Sequence, residues 1–416
     1  MSEERASVGG VRSGAFRCLL GSWGASSVGD GVLTAALPLF TAVSTRDPVS
    51  VSVVAVASVL PWLVVALPAG ALVDRWPPRT TLIVSPVTRS GLTLSLGSLV
   101  MFGRADVVVA VCAFLLSSAE TFADSAGQTL LVTVAGRSEL ERANGRVVST
   151  ETAGVEIAGP LAAAGLFAWR PEFCFPAGGV TFLIAGVLAA TVRVRVQRPV
   201  KAETTAVRAE VLEGMRFLVR QRTLRVVVGV VGMTAFVTSG VNAVAFLYAI
   251  ESLRLPKASV ATLLVCTALG ALAAAPLASR LALRWGGGRV MIGALVILAT
   301  GIATLGAGSS PWAAWLAYLG MGVGAGAWNV LSSANRQRLT PPTLMGRVTS
   351  AHRVLAWGLM PLGAALAGPV AEVTSLRAVI IGAAVVVMAI ALISGPRLVV
   401  LGRMAAESEV VESSPG

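Results

Sequence analysis

Apolar runs of about 20 residues, the length that carries an α-helix across the hydrocarbon core, alternate with short polar connections along nearly the whole chain. Twelve such segments can be placed: 16–42, 50–73, 80–102, 106–132, 145–169, 173–193, 224–250, 258–283, 288–308, 311–333, 348–371 and 374–395. Several exceed the minimum and are expected to tilt or to protrude. The pattern predicts an all-α integral membrane protein, since a helix satisfies its own backbone polar groups in lipid.

Basic residues orient these segments. With the N-terminus inside, only Arg46, Arg104, Arg170, Arg254, Lys257 and Arg377 fall in outer connections, Arg89 is left within the third segment, and the rest of the 33 Lys and Arg lie on the inner side. The positive-inside rule demands this bias, and the inverted topology fails it. The longest inner connection, 193–223, divides the chain into a bundle at 1–192 and a second at 224–395, with a disordered cytoplasmic tail expected at 396–416. Within the connection, Val207, Val211, Met215 and Leu218 form one helical stripe, which predicts an amphipathic helix on the membrane surface. Displacing the chain by 201 positions puts Arg137 on Arg338, Arg146 on Arg347, Ser149 on Ser350 and Pro160 on Pro361. Two six-helix halves related by duplication are the architecture of a secondary transporter.

Composition narrows the chemistry. Hydrophobic residues make up 55% of the chain and charged ones 13%, more apolar surface than a soluble domain can hide. The opening "MSEERASVGGVRSGAFR" mixes acids and bases and lacks the order of a cleaved signal, so both termini are expected in the cytoplasm of a bacterial-type plasma membrane. Cys18, Cys112, Cys174 and Cys266 stand singly, and the lone His352, placed at the inner surface, completes no ligand set, so no metal is expected. The net charge of +12 is dispersed among the connections, which argues against a nucleic-acid partner. No G-x-x-x-x-G-K-[S/T] loop is present to bind ATP, so the proton gradient replaces any cofactor as the driving force.

Polar groups inside the apolar segments mark the candidate site, because lipid makes them costly. Ser22, Ser26, Asp30 and Thr34 recur every four residues in the first segment, and Ser117, Thr121, Asp124 and Gln128 form a stripe in the fourth, with Glu120 one turn from Asp124. The fifth segment adds Glu156 and the seventh Thr234, Thr238 and Asn242. Asp30, Glu120, Asp124 and Glu156 are the candidate proton carriers, Asp30 and Glu120 with Asp124 ahead of Glu156, and an organic cation would compete with the proton for the same charge. A purely structural role, pairing with Arg89 among others, is the competing reading for each acid.

Between the second and third segments stands "GALVDRWPPRT", Gly70 to Thr80. Gly70, Leu72, Asp74, Arg75 and Arg79 resemble the G-x-L-x-D-R-x-x-x-R motif of the major facilitator superfamily. The resemblance implies that Asp74 is an inner latch meeting the start of the eleventh helix near Gly346 and Arg347, with Arg137, Arg142 or Arg146 as cationic partners. Gly154, Gly159, Pro160 and Gly165 in "GVEIAGPLAAAG" look like the G-P-x-x-G-G motif of drug antiporters, with Ala163 and Ala164 near where the second glycines would stand. "LERANGR", "EGMRFLVRQRTLR" and "GRVTSAHRVLAWGLMPLGA" are similar to the drug-exporter branch that includes macrolide and siderophore carriers. The resemblance implies the twelve-helix major facilitator fold, a monomer in the lipid bilayer, and proton-coupled export of a small hydrophobic or cationic substrate. An importer on the same fold is the nearest alternative; a polytopic enzyme or a receptor would need a catalytic cluster or a coupling domain that the sequence does not offer.

Overall fold

The computed structural model describes residues 11, 13–65, 76–101, 106–136, 139–192, 215–340, 348, 351–352, 354–355 and 358–413. Among them every regular element is helical. α1 spans Gly14–Thr45, α2 Pro48–Val64, α3 Pro78–Met101 and α4 Asp106–Ala135. α5 runs from Leu140–Thr152 through a π-helical turn, Ala153–Ala158, into Gly159–Trp169, and α6 is Cys174–Thr191. In the second half, α7 is Arg222–Glu251, α8 joins Lys257–Val260 to Thr262–Trp285, α9 is Gly287–Ala307, α10 Pro311–Leu339, α11 Met360–Val373 and α12 Leu376–Ser413. Among the described residues, eight helices are long and apolar enough to cross a bilayer.

Over their described residues the apolar segments read from the sequence fall on these helices, except that the eleventh, read as 348–371, begins ahead of α11 at Met360. The end of the chain differs: α12 continues to Ser413, so residues 396–413 are helical rather than a disordered tail. Pro396 is accommodated inside this helix, and Met404, Ala405, Ala406 and Glu407 beyond it are good helix formers. The predicted amphipathic stripe falls largely at 193–214, outside the described residues. Its end is described, and there Leu218 is buried with Leu224, Val228, Val348 and Ala351.

Local chemistry accounts for the helix boundaries. The turn between α1 and α2 places Arg46 at a φ of 52°, and Asp47 then caps α2. Val49 and Ser50 donate their backbone N–H groups to the Asp47 carboxylate at 3.2 and 2.8 Å, the Ser50 hydroxyl adds a bond of 2.6 Å, and Pro48 occupies the first helical position. The Ser50 hydroxyl and these N–H groups hold the Asp47 carboxyl below the usual carboxylate range. Asp47→Ala is expected to cost about 1 kcal/mol. The wild-type advantage should be full at neutral pH and be lost progressively as pH falls from the unfolded-state value of about 4 through the lowered folded one; paired thermal melts across pH would check both. Within the helices, hydroxyls such as those of Thr41, Thr93 and Ser125 donate to the carbonyl four residues earlier, which satisfies them without water.

Two compact units result, residues 1–45 with 57–202 and residues 46–56 with 203–416. The start of α2 thus groups with the second unit, where a Cβ on Gly368 of α11 would stand only 2.6 Å from the Pro48 carbonyl oxygen. Each unit repeats one packing plan. In the first, α1 packs on α5 and α6, and α3 on α4 and α6; in the second, α7 packs on α11 and α12, and α9 on α10 and α12. The matched prolines obey it too, since Pro160 opens the segment Gly159–Trp169 and Pro361 opens Met360–Val373. Leu19, Leu130, Leu131 and Val147 lie in the interior of the first unit and Met291, Leu295 and Leu398 in that of the second. Val107, Trp169, Leu283, Trp312 and Ile393 stay exposed, as lipid-facing side chains should.

Candidate functional site

The first unit gathers its intramembrane charges around Arg89. This residue lies on α3, and its side chain is 3% exposed. One terminal nitrogen of the guanidinium donates to the Asp30 carboxylate on α1, and the same nitrogen lies 3.6 Å from Oε2 of Glu120 on α4. The other donates to the Ser26 hydroxyl at 3.2 Å, and Ser26 in turn donates toward Asp30 at 3.5 Å. The planar face of the guanidinium covers the Phe182 ring of α6, with Cζ 4.1 Å from the ring centroid. Such a cation–π contact stabilises a desolvated cation. Asp124, one turn beyond Glu120, adds its field at Arg89.

Small residues bring these helices close enough. A Cβ on Gly29 would meet the Phe182 ring at 2.7 Å, so a larger residue there would push α6 and its aromatic ring away from α1. A Cβ on Gly31 would meet the Val155 carbonyl at 2.6 Å, one on Gly154 the Ser27 side chain at 2.6 Å, and one on Gly159 the Gly31 backbone at 2.5 Å. The antiporter-like segment therefore lies against α1 beside Asp30. Gly154, Gly159 and Pro160 are buried there, whereas Gly165 faces open space. The π-turn Ala153–Ala158 lies within this contact, where an inserted residue lets α5 bend.

Three of the four candidate acids thus converge: Asp30 and Glu120 touch Arg89, and Asp124 is close by. Glu156 is exposed on the π-turn, and its side chain makes no hydrogen bond or ion pair with the described residues. Asn242 is exposed on α7 of the second unit, likewise without such a bond among the described residues, while the Thr234 and Thr238 hydroxyls turn back to carbonyls of their own helix. Of the loop motif, Arg79 donates to the Ala190 carbonyl at the end of α6 at 2.8 Å, where a cation also complements the helix dipole. Gly70, Leu72, Asp74, Arg75, Arg137, Gly346 and Arg347 lie outside the described residues. Arg142 stands 3.8 Å from Glu139, and Arg146 donates to the Val11 carbonyl at 3.2 Å. His352, expected at the surface, is half-buried instead, and its Nδ1 meets no partner among the described residues.

Sequence reasoning undervalued Arg89 and missed Phe182. The signal for Arg89 was present, because it is the one base that the topology left inside a membrane segment. Phe182 carries no such mark, since an aromatic residue in an apolar helix is usual.

Comparison with known proteins accords with this architecture. The chain is 25% identical over 379 residues to an uncharacterised MFS-type transporter of Sinorhizobium fredii, covering 86% of this chain and 89% of that one. Similar solved structures include the nucleoside transporter NupG, with a TM-score of 0.74 at 13% identity over 91% of this chain and 98% of that one. A bacterial homologue of the iron transporter ferroportin in an inward-facing state gives 0.72 at 16% identity over 91% and 98%. An autoinhibited peptide transporter of the POT family gives 0.72 at 15% identity over 94% and 96%. These likenesses concern the fold. Residues 19–364 match the Major Facilitator Superfamily as a family, and with that match over most of its length this chain belongs to it, a membrane transporter and not an enzyme.

Proposed function

We propose that this transporter exports a small hydrophobic or cationic compound in exchange for protons. The observation that carries the reading is the cluster in the first unit, where the Asp30 and Glu120 carboxylates share the guanidinium of Arg89 and Asp124 adds its charge nearby. With Asp30 and Glu120 both ionised, one guanidinium faces two carboxylates in a low-dielectric interior, and a proton or a substrate cation neutralises the second. Competition between the two for one charge is the physical basis of antiport.

Asp30, held by Arg89 and Ser26, is the fixed partner in this scheme. Glu120 is the exchangeable proton carrier, since its side chain is 28% exposed and its carboxylate lies 3.6 Å from the guanidinium. The likeness of Gly70, Leu72, Asp74, Arg75 and Arg79 to the family's loop motif supports Asp74 as the inner latch, and the positive-inside bias supports cytoplasmic termini. The likeness of several sequence stretches to drug exporters supports the direction of transport.

Accumulation of fluorescent lipophilic cations and antibiotics in an efflux-deficient bacterium tests the reading. Wild type is expected to lower accumulation below the vector control, an uncoupler to abolish the difference, and Glu120→Gln to restore the vector level at normal membrane abundance. Accumulation above the vector control would instead identify uptake, and full uncoupler-sensitive export by Glu120→Gln would remove that residue as the carrier.

A further inference from the structure

The loop after the second apolar segment has a counterpart in the second unit to which the transport scheme gives no role. The first reads "VDRWPPR" at 73–79, and the second reads "ALRWGGGR" at 282–289, between α8 and α9. Arg75, Trp76 and Arg79 recur as Arg284, Trp285 and Arg289, but Leu283 stands where Asp74 does. The second loop thus carries the bases without the acid. Leu283 is 88% exposed and Trp285 59%.

The fold gathers further positive charge at this turn. Arg280 and Arg284, one helical turn apart at the end of α8, are both exposed on one face. Arg289, exposed at the start of α9, donates to the Trp285 carbonyl at 3.3 Å and so ties the two helices together. Gly288 leaves no room for a Cβ beside the Leu398 carbonyl of α12, so that helix packs directly on the loop and brings the exposed Arg397 near it.

No carboxylate balances these bases. Residues 252–371 contain no Asp or Glu, and the next acid after Arg397 is Glu407, about 15 Å further along α12. Among the described residues none of the four arginines forms an ion pair. In the first unit, by contrast, Arg142 stands beside Glu139, and Arg79 and Arg146 donate to carbonyls of other segments. Leu269 and Leu277, about half exposed, share the face of α8 that ends in Arg280 and Arg284. An apolar strip ending in uncompensated bases complements a lipid with an anionic head, and a guanidinium binds phosphate oxygens in a two-pronged fashion.

We propose that the turn between α8 and α9 binds an anionic phospholipid of the inner leaflet, the side to which the bias of basic residues assigns it. Arg280 and Arg284 hold the phosphate, Arg289 and Arg397 add positive charge, and Leu283, Trp285 and the leucines of α8 adjoin the apolar part. This interaction goes beyond the transport reading and does not depend on the direction or the coupling of transport.

The full-length protein, purified in a neutral detergent, is incubated with dioleoylphosphatidylglycerol, dioleoylphosphatidylcholine or inorganic phosphate, and native mass spectrometry measures what stays bound. Phosphatidylglycerol is expected to be retained in preference to phosphatidylcholine, and phosphate at the same concentration should not displace it. Arg280→Gln should weaken phosphatidylglycerol binding about fivefold, and the Arg280→Gln, Arg284→Gln double variant about 25-fold, as for one and two bases near an anionic headgroup. Leu283→Asp, which supplies the acid of the first loop at an exposed position, should weaken it about fivefold without removing a base, and keeps the test open if the double variant fails to fold. Arg170→Gln, at the opposite side of the membrane, should change nothing. Equal retention of the two lipids, displacement by phosphate, full binding by both the double variant and Leu283→Asp, or an equal loss in Arg170→Gln would each overturn the proposal.

Discussion

Arg89→Leu is expected to destabilise the protein by about 3–5 kcal/mol, the typical cost of removing one partner from a buried ion pair. The guanidinium is bonded to Asp30 and Ser26, approaches Glu120 and covers Phe182, so its loss leaves two carboxylates in the helix bundle without their cation. Leucine is shorter than arginine, so the measured loss combines the electrostatic effect with that of a cavity. The Asp30→Asn, Arg89→Gln double variant removes both charges while keeping hydrogen-bonding groups, and is expected to recover much of the lost stability but none of the proton-driven transport. Melting temperatures of the three proteins in one detergent would show this order. An Arg89→Leu protein that melts like wild type would mean that the three acids do not depend on that cation.

Gly159→Ala is expected to cost about 1–3 kcal/mol, the usual penalty of overpacking, although alanine is the better helix former. The new methyl group would stand 2.5 Å from the backbone of Gly31, and no rotamer change relieves a clash between main chains. Gly165→Ala serves as the matched control. It meets nothing within 4 Å and is expected to change stability by less than about 0.5 kcal/mol. Thermal unfolding and membrane abundance of both variants would test the contrast, and equal behaviour would show that α1 and α5 do not depend on their close approach. Transport by any folded Gly159→Ala protein should also fall, because α1 carries Asp30 next to this contact.

These two cases show how far the sequence could be read. Segment lengths, the bias of basic residues and the match of Pro160 with Pro361 are local or periodic signals, and they located the helices and the duplication. The polar stripes on α1 and α4 were legible for the same reason, since a helix puts every fourth residue on one face. The continuation of α12 past Pro396 was not, because acidic and small residues at a chain end suit a helix and a disordered tail equally well.

Within the site, the sequence by itself determined which side chains are polar inside apolar helices, and so named Asp30, Glu120 and Asp124. Only the tertiary structure decided that Asp30 and Glu120 share Arg89, that Phe182 lies under the guanidinium, and that Glu156 stands apart. It also separated Gly154 and Gly159, in contact with α1, from Gly165, which the motif alone groups with them. The physical reason is the same throughout. A helical repeat fixes which residues share a face of one helix, whereas partners on different helices, such as Asp30 and Arg89, are set by where the helices cross and how closely small residues let them approach.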